Sequence, residues 1–382
     1  MTTPKLRQRL APAPPRPYLW ALVVGLSVAF GILDFSPQVL MVIRLYPNTH
    51  WWGLDFDLVL QASRRLLDGQ SLYADPGFFY TPLTALLGIP ETLVTREYVL
   101  VAYAAFNVVL AVAVTRWLTR GSWLAILAVV TFLPLINDIA PGNFMVPITA
   151  AMAVATFGAE RRRSGVALGL VAAAIPKPLL APYFLWLLVY RRKAAEGAVI
   201  TGAVLTLVAA VIVGPGTYLA WFHNLIGGTG YISSWDGNYG VSAYLPTLAV
   251  PISILVMVLT VVVVARASEY QSFVWVLAAG IVVSPYAGPL AALPLLLALL
   301  VLRPWPRLYA IALLNPVASI SVAFAGVGAL VLAPLFAIDA SQRRFGAVEP
   351  ETSSSPSKPK AGVVPRPLDA AESKGPPGAD GP

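Results

Sequence analysis

Apolar residues fill most of the chain in runs of roughly 14 to 25, and short clusters of Arg, Pro, Gly and Asn separate the runs. Helices that cross a bilayer have about this length, whereas a membrane barrel requires alternating strands of about ten residues. The pattern therefore predicts an all-α, polytopic transmembrane protein.

The apolar runs define about a dozen crossings with short loops between them. The candidate crossings are 18–42, 97–116, 121–137, 144–158, 164–176, 178–190, 195–214, 244–265, 272–285, 286–302, 308–320 and 322–338. One further run, 81–94, is about fourteen residues long and contains Pro82 and Pro90, which favours a re-entrant or interfacial element.

Basic residues recur in alternate loops, as expected for loops on the cytoplasmic side. These residues are Arg116 and Arg120, Arg161 to Arg163, Arg191 to Lys193, Arg266, Arg303 and Arg307, and Arg343 and Arg344. The alternation predicts a multi-pass protein of the plasma membrane with both termini in the cytoplasm. It divides the chain into a cytoplasmic segment 1–17, a membrane domain 18–340 with an outer loop 44–79, and a tail 341–382. The tail is rich in Pro, Ser and Lys and poor in aromatic residues, which predicts disorder.

Composition agrees with this class, since 58% of the residues are hydrophobic and 12% are charged. The net charge of +8 lies in the loops and does not indicate a nucleic-acid partner. The chain has no cysteine, and its two histidines, His50 and His223, are far apart, so we predict neither a metal site nor a cofactor.

The outer loop is the most polar part of the predicted membrane domain. Its segment Asp55 to Leu67 has helical periodicity, with Leu58, Ala62, Arg65 and Leu66 on one stripe, and Gly69 is expected to end the helix. We predict a helix on the outer membrane surface, anchored by His50, Trp51 and Trp52. Asp55 and Asp57 stand at its N-terminus, where the helix dipole favours carboxylates.

The same loop contains the run DFDLVLQASRRLLDGQSLY, followed by FFYTPL. Further motifs follow in order: Gly142-Asn143, Lys177 within PKP, Asn238 and Ser242 within GNYGVSAY, and Ser284-Pro285. Together these motifs resemble glycosyltransferase family 87 of the GT-C superfamily. The chain departs from that family at Val59-Leu60, where an aromatic pair is common, at Asn143, where Gln is usual, and at 286–288.

The resemblance implies an inverting enzyme that uses a polyprenyl-phosphate sugar donor, mannosyl or arabinofuranosyl, and an extracytoplasmic glycan or glycolipid acceptor. An acceptor hydroxyl must lose its proton during the attack, and a carboxylate at the membrane surface suits that role. Asp55 matches the leading aspartate of the family and is the predicted catalytic base, with Asp57 as the substitute. The structural alternative is that Asp55 only caps the surface helix.

The remaining candidates are substrate-binding residues: Lys177, Tyr80, Asn143, Asn238, Ser242, Arg64 and Arg65. Lys177 is expected to face the donor phosphate, and the structural alternative is that it reaches the lipid headgroups. For Tyr80 the alternative is that it shapes the re-entrant turn, and for the two arginines it is solvation or contact with lipid headgroups. For the Asn and Ser residues it is loop hydrogen bonding. Asp138 receives no role.

A transporter or lipid flippase is the alternative function, since it too has broken helices and charges at membrane depth. Its polar residues would gather near the midplane, whereas those of this chain gather at outer helix ends and in one outer loop. A non-catalytic assembly partner is the third possibility and would require no essential carboxylate in that loop.

Overall fold

The computed structural model describes residues 52–74, 77–159, 161–227, 238, 240–302, 307, 310, 311 and 314. The predicted crossings 18–42 and 322–338, the segment 1–17 and the tail from 341 lie outside these residues. So do most of the predicted crossing 308–320 and the proposed anchors His50 and Trp51.

Every regular element in the described ranges is helical, which confirms the predicted fold class. The α-helices are α1 Leu54–Leu67, α2 Pro82–Leu87, α3 Arg96–Leu118, α4 Trp123–Val130, α5 Leu133–Ile139, α6 Met145–Phe157, α7 Arg163–Ala174, α8 Leu180–Tyr190, α9 Arg192–Val213, α10 Pro215–Gly227, α11 Val241–Tyr244, α12 Ala249–Arg266, α13 Glu269–Val283 and α14 Leu295–Leu300. Short 3-10 turns span Leu72–Ala74, Pro90–Leu93 and Pro289–Ala292.

Three of the described helices, α3, α9 and α12, are long and apolar enough to cross a membrane. Their outward surfaces are apolar, with Val101, Leu207 and Val258 each more than half exposed. Large aliphatic surfaces of this extent are suited to lipid rather than water. The protein is a helical membrane protein, as the run lengths predict.

Helices α6, α7, α8 and α13 form where crossings were predicted, but they have only 11 to 15 residues. Two predicted crossings are interrupted. The run 121–137 divides into α4 and α5, and Pro134 lies in the first turn of α5, where its missing N–H is tolerated. The run 286–302 divides into the 3-10 turn at Pro289 and α14, which follows Pro294.

The segment 81–94 folds as α2 and a 3-10 turn, so it has no helix long enough to cross the membrane. Its polar side chains bond to backbone carbonyls at the end of α7: the Thr81 hydroxyl donates to Ala173 O at 2.7 Å, and the Thr84 hydroxyl to Ala174 O at 2.5 Å. From the other side the Ser63 hydroxyl of α1 donates to Ala85 O at 2.8 Å. These bonds fix α2 between α1 and α7.

Helix α1 begins at Leu54 and ends at Leu67, close to the predicted bounds. Gly69 has φ of +69°, and Gln70 N donates to Arg65 O, the hydrogen bond of a Schellman end. The buried face differs from the predicted stripe, since it consists of Phe56, Val59, Leu60, Ala62 and Ser63. This face packs against protein, so α1 is anchored on the helical core.

Candidate active site

The N-terminus of α1 lies against the loop at Pro141. Gly53 N donates to Ala140 O at 2.9 Å, and Asp55 N donates to Pro141 O at 2.9 Å. Two amides that helix formation leaves without partners are therefore satisfied by backbone carbonyls. Gly53 is the N-cap residue, with φ of +81°, and no side chain caps the helix. The carboxylate of Asp55 is thus not the cap and is available for another role.

Gly142 makes this contact possible. Its φ is +76°, in the left-handed region that favours glycine, and a Cβ there would lie 2.7 Å from the Cβ of Phe56. Only a residue without a side chain lets the loop approach α1 this closely. The approach places Asn143 beside Asp55.

A chain of three side chains then joins Asp55, Asn143 and Lys177. Asn143 Nδ2 donates to Asp55 Oδ2 at 2.5 Å, and Lys177 Nζ donates to Asn143 Oδ1 at 2.9 Å. The Asn143 amide has one orientation, since its NH2 must face the carboxylate and its oxygen the ammonium. Its oxygen also accepts a bond from Phe144 N at 2.7 Å. A carboxylate and a cation from distant parts of the sequence are held one amide apart.

The three side chains differ in accessibility. Asn143 is buried, while Asp55 and Lys177 are half-buried. Lys177 lies in the link between α7 and α8, and the flanking Pro176 and Pro178 restrict the backbone of that link. The accessible atoms of the carboxylate and ammonium are the groups that a substrate can reach.

Burial shifts both ionisable ends of the chain. It raises the pKa of Asp55 above its ordinary value, while the Asn143 hydrogen bond and the charge of Lys177 oppose the rise. Burial lowers the pKa of Lys177, and the charges of Asp138 and Asp55 oppose that fall. A carboxylate with a raised pKa is a stronger proton acceptor than an exposed one, which suits a general base.

Asp138 lies beneath this chain and was not assigned by sequence reasoning. It is fully buried, and its carboxylate accepts bonds from Met145 N at 3.0 Å and Val146 N at 2.9 Å, at the start of α6. Its backbone oxygen accepts Asn143 N at 2.9 Å. Asp138 therefore closes the loop that presents Asn143. The available signal was a carboxylate inside an apolar stretch, which is costly unless it is bonded.

Aromatic rings form one wall of the site. Tyr80 meets Phe144 with ring centroids 5.4 Å apart, and Phe144 meets Tyr103 at 5.6 Å. The Tyr103 hydroxyl donates to Asn143 O at 2.6 Å, which fixes the ring against the loop. The pKa of Tyr80 is raised by burial and by the charge of Asp55, so the phenol stays protonated. Tyr80 is half-buried, and its ring lies against Phe144, the residue that follows Asn143.

The other predicted site residues lie elsewhere or have protein partners. Asp57 forms a two-point ion pair with Arg96, with both N···O distances at 2.6 Å. Arg96 also donates to Trp52 O at 2.6 Å, so the pair fixes the chain before α1. Arg64 is exposed and Arg65 half-buried in the last turn of α1.

Asn238 and Ser242 are buried and bond to the loop that follows α13. Asn238 Nδ2 donates to Ser242 Oγ at 3.0 Å and to Pro285 O at 3.2 Å, and Ala287 N donates to Asn238 Oδ1 at 3.2 Å. The Ser242 hydroxyl also donates to Pro285 O. These contacts join the predicted GNYGVSAY and Ser-Pro motifs into one structural unit.

The described residues contain no group of three His, Asp or Glu side chains arranged to hold a metal ion. The arrangement instead provides a carboxylate that can accept a proton and an ammonium that can hold an anion. The Asn143 side chain joins the two groups, and the aromatic wall lies against the Asn143 backbone.

Comparison with known proteins gives one match. The sequence model of glycosyltransferase family 87 matches residues 78–285, more than half of the chain. No curated protein and no solved structure matches. The matched range includes Tyr80, Asn143 and Lys177, whereas Asp55 lies before it.

Proposed function

The chain belongs to glycosyltransferase family 87, and we propose that it moves a sugar from a polyprenyl-phosphate donor to an extracytoplasmic glycan or glycolipid. The observation that supports this most directly is the Asp55, Asn143 and Lys177 chain. This chain of side chains provides the two charges that such a transfer requires. Two of its three residues, Asn143 and Lys177, lie in the range that matches the family.

Asp55 is the proposed general base. A hydroxyl oxygen of the acceptor attacks the anomeric carbon of the donor sugar, and its proton passes to the Asp55 carboxylate. The bond between the anomeric carbon and the phosphate oxygen breaks, and its electron pair leaves with the polyprenyl phosphate. A single displacement of this kind inverts the anomeric configuration. The half-buried position of Asp55 leaves the carboxylate accessible to a hydroxyl.

Lys177 is the proposed phosphate ligand. As the glycosidic bond breaks, negative charge grows on the leaving phosphate, and an ammonium already in place stabilises it. The hydrogen bond to Asn143 uses one of the three Lys177 donors and leaves others for the phosphate. Asn143 is then a positioning residue that holds the base and the cation in one frame.

Tyr80 is the proposed sugar contact, since its ring packs against Phe144, the residue that follows Asn143, and its phenol is close enough to feel the charge of Asp55. Mannosyl and arabinofuranosyl units are the sugars we propose. Asn238 and Ser242 are proposed to hold the Pro285 loop in place, and Arg64 and Arg65 are proposed to contact solvent or lipid headgroups. The enzyme is proposed to act from the plasma membrane with this site on the outer side.

A donor panel tests the function. Purified protein in lipid nanodiscs is incubated with polyprenyl-phosphate mannose, polyprenyl-phosphate arabinofuranose and a short glycan acceptor, and release of polyprenyl phosphate is followed. We expect release with one sugar class only, dependent on acceptor and abolished by Asp55→Asn. Transbilayer movement of intact donor without cleavage, equal in wild type and Asp55→Asn, would instead support a flippase.

A further inference from the structure

Helices α7 and α9 are in backbone contact at one end of the molecule. A Cβ added to Gly165 would lie 1.8 Å from Ala194 O, and one added to Gly197 would lie 1.9 Å from Arg162 O. Gly169, one turn further along α7, would meet Ala198 O at 2.4 Å. Small residues at this spacing let two helices approach until their backbones touch.

This contact unites two basic clusters that are some thirty positions apart in sequence. The concavity between the helix ends has a volume of about 690 Å³, and its lining residues are Arg161, Arg162, Arg163, Arg192, Lys193 and Glu196. Both helices begin here, so two helix dipoles add positive potential at the same place. Even with Glu160 counted as a second acid, three positive charges remain in excess.

The one acidic side chain of the lining orders the basic residues. Glu196 accepts a hydrogen bond from Arg162 Nε at 3.1 Å and forms an ion pair with Arg192 Nε at 3.3 Å, so one arginine from each cluster lies beside it. Arg191, adjacent in sequence, is separated from the group because it pairs with Glu269 at 2.7 Å and donates to Thr156 O. The other cations, Arg161, Arg163 and Lys193, are exposed at the rim.

We propose that this concavity binds the phosphate group of an anionic phospholipid. Phosphate is the ligand that clustered arginines at paired helix N-termini favour. A lipid source is favoured because α9 continues from Lys193 into the exposed apolar residues Val199, Ile200 and Val204, along which acyl chains can lie. Basic pockets between membrane helices on the cytoplasmic side bind anionic headgroups in this way.

This site is separate from the proposed active site. The basic cluster lies at the first residues of α7 and α9, and Lys177 follows the last residues of α7. The lipid bound here is therefore a ligand of the opposite side of the protein and not the sugar donor.

Native mass spectrometry of the purified full chain tests the proposal, with dioleoyl phosphatidylglycerol and phosphatidylcholine as probes. Wild type is expected to retain phosphatidylglycerol in preference, and the double variant Arg161→Gln/Lys193→Gln to bind it about tenfold more weakly. The matched control is Arg116→Gln/Arg266→Gln, which removes two exposed cations at other helix ends and should bind as wild type does. Glu196→Gln, which removes an anion and no cation, should bind at least as tightly.

Equal affinity in the two double variants would overturn the proposal, since the cations of the concavity would then be no different from other loop cations. Inorganic phosphate at about 10 mM, in large excess over the lipid, is expected to leave the lipid bound. Displacement by it would assign the concavity to a soluble anion and overturn the lipid assignment. Melting temperatures of all variants within a few degrees of wild type would exclude unfolding as the cause.

Discussion

The side chain of Asn143 donates to the carboxylate of Asp55 at 2.5 Å, although 88 positions separate the two residues. The bond exists because Pro141 and Gly142 lie across the first turn of α1. A hydrogen bond to an ionised carboxylate favours the ionised form, so Asn143 keeps Asp55 ready to accept a proton.

Asn143→Leu should shift the pH dependence of transfer. The substitution removes a bond that lowers the Asp55 pKa, so the pKa rises and the base becomes protonated at a higher pH. The acidic limb of the kcat/KM profile should move to higher pH, and Asn143→Gln, which retains an amide, should move it less. If Asn143→Leu has the same kcat/KM profile against pH as wild type, Asn143 does not influence the pKa of the base.

Asp55→Asn should abolish most activity without unfolding the protein. The start of α1 is satisfied by the carbonyls of Ala140 and Pro141, and an amide at position 55 still has Asn143 as a neighbour. We expect the free energy of unfolding to change by less than about 1 kcal/mol and the transfer rate to fall by at least about 10²-fold. Denaturant titration and donor turnover measure the two effects. Wild-type turnover in the folded variant would remove Asp55 from the mechanism.

Lys177→Gln should weaken donor binding. Removing a charged donor from a phosphate costs about 1.5 to 3 kcal/mol, or roughly a 10- to 100-fold rise in Kd. Titration with a non-transferable polyprenyl phosphate measures this. Arg266→Gln is the control, since Arg266 is an exposed cation at the end of α12 and belongs to neither proposed site, and it should leave donor affinity unchanged. If Lys177→Gln and the control variant bind the donor with equal affinity, Lys177 contacts lipid headgroups rather than the donor phosphate.

Asp57→Asn should act on stability rather than chemistry. Its partner Arg96 is partly exposed, with 34% of the side chain accessible, so the pair contributes about 1 kcal/mol or less. Asp57→Asn, Arg96→Gln and the double variant form a thermodynamic cycle, in which the second substitution should cost little once the first is made. A loss of turnover as large as that of Asp55→Asn, without loss of stability, would move the base to Asp57.

Cysteine labelling should establish on which side of the membrane the candidate active site and the basic concavity lie. The native chain has no cysteine, so a single introduced cysteine is the only thiol that the reagent can label. Ser71→Cys, at an exposed position after α1, should react with an impermeant thiol reagent in intact cells. Lys193→Cys should react only after permeabilisation. The reverse pattern would place the candidate active site in the cytoplasm.

Local features of the sequence predicted local features of the fold. Run length predicted the long helices, and periodicity with Gly69 predicted α1 to within one residue at its start. Lys177, Asn143 and Asp55 were selected by residue type and motif order, and they meet in the structure. Their meeting depends on Gly142 and on the loop before α6, which no local pattern specifies.

Other features required tertiary contacts to identify. Asp55 and Asp57 are two positions apart and chemically alike, yet one meets Asn143 and the other Arg96, because neighbouring helical positions point in different directions. The N-cap interpretation of Asp55 is also wrong, because Gly53 is the N-cap residue and the first amides of α1 donate to the Ala140 and Pro141 carbonyls of a distant loop. Asn238 and Ser242 have the polar groups of a sugar site but use them on Pro285.

The shortness of α7 affects how deep in the bilayer a substrate reaches the candidate active site. Its twelve residues rise about 18 Å along a straight helix, about 12 Å less than the thickness of a bilayer interior. If its basic end sits at one headgroup layer, Lys177 at the other end lies in a recess below the opposite layer. Such a hydrophobic mismatch draws water and headgroups inward. On this arrangement the proposed lipid-linked donor reaches the proposed base by sinking its phosphate, while its hydrocarbon tail stays in the surrounding bilayer.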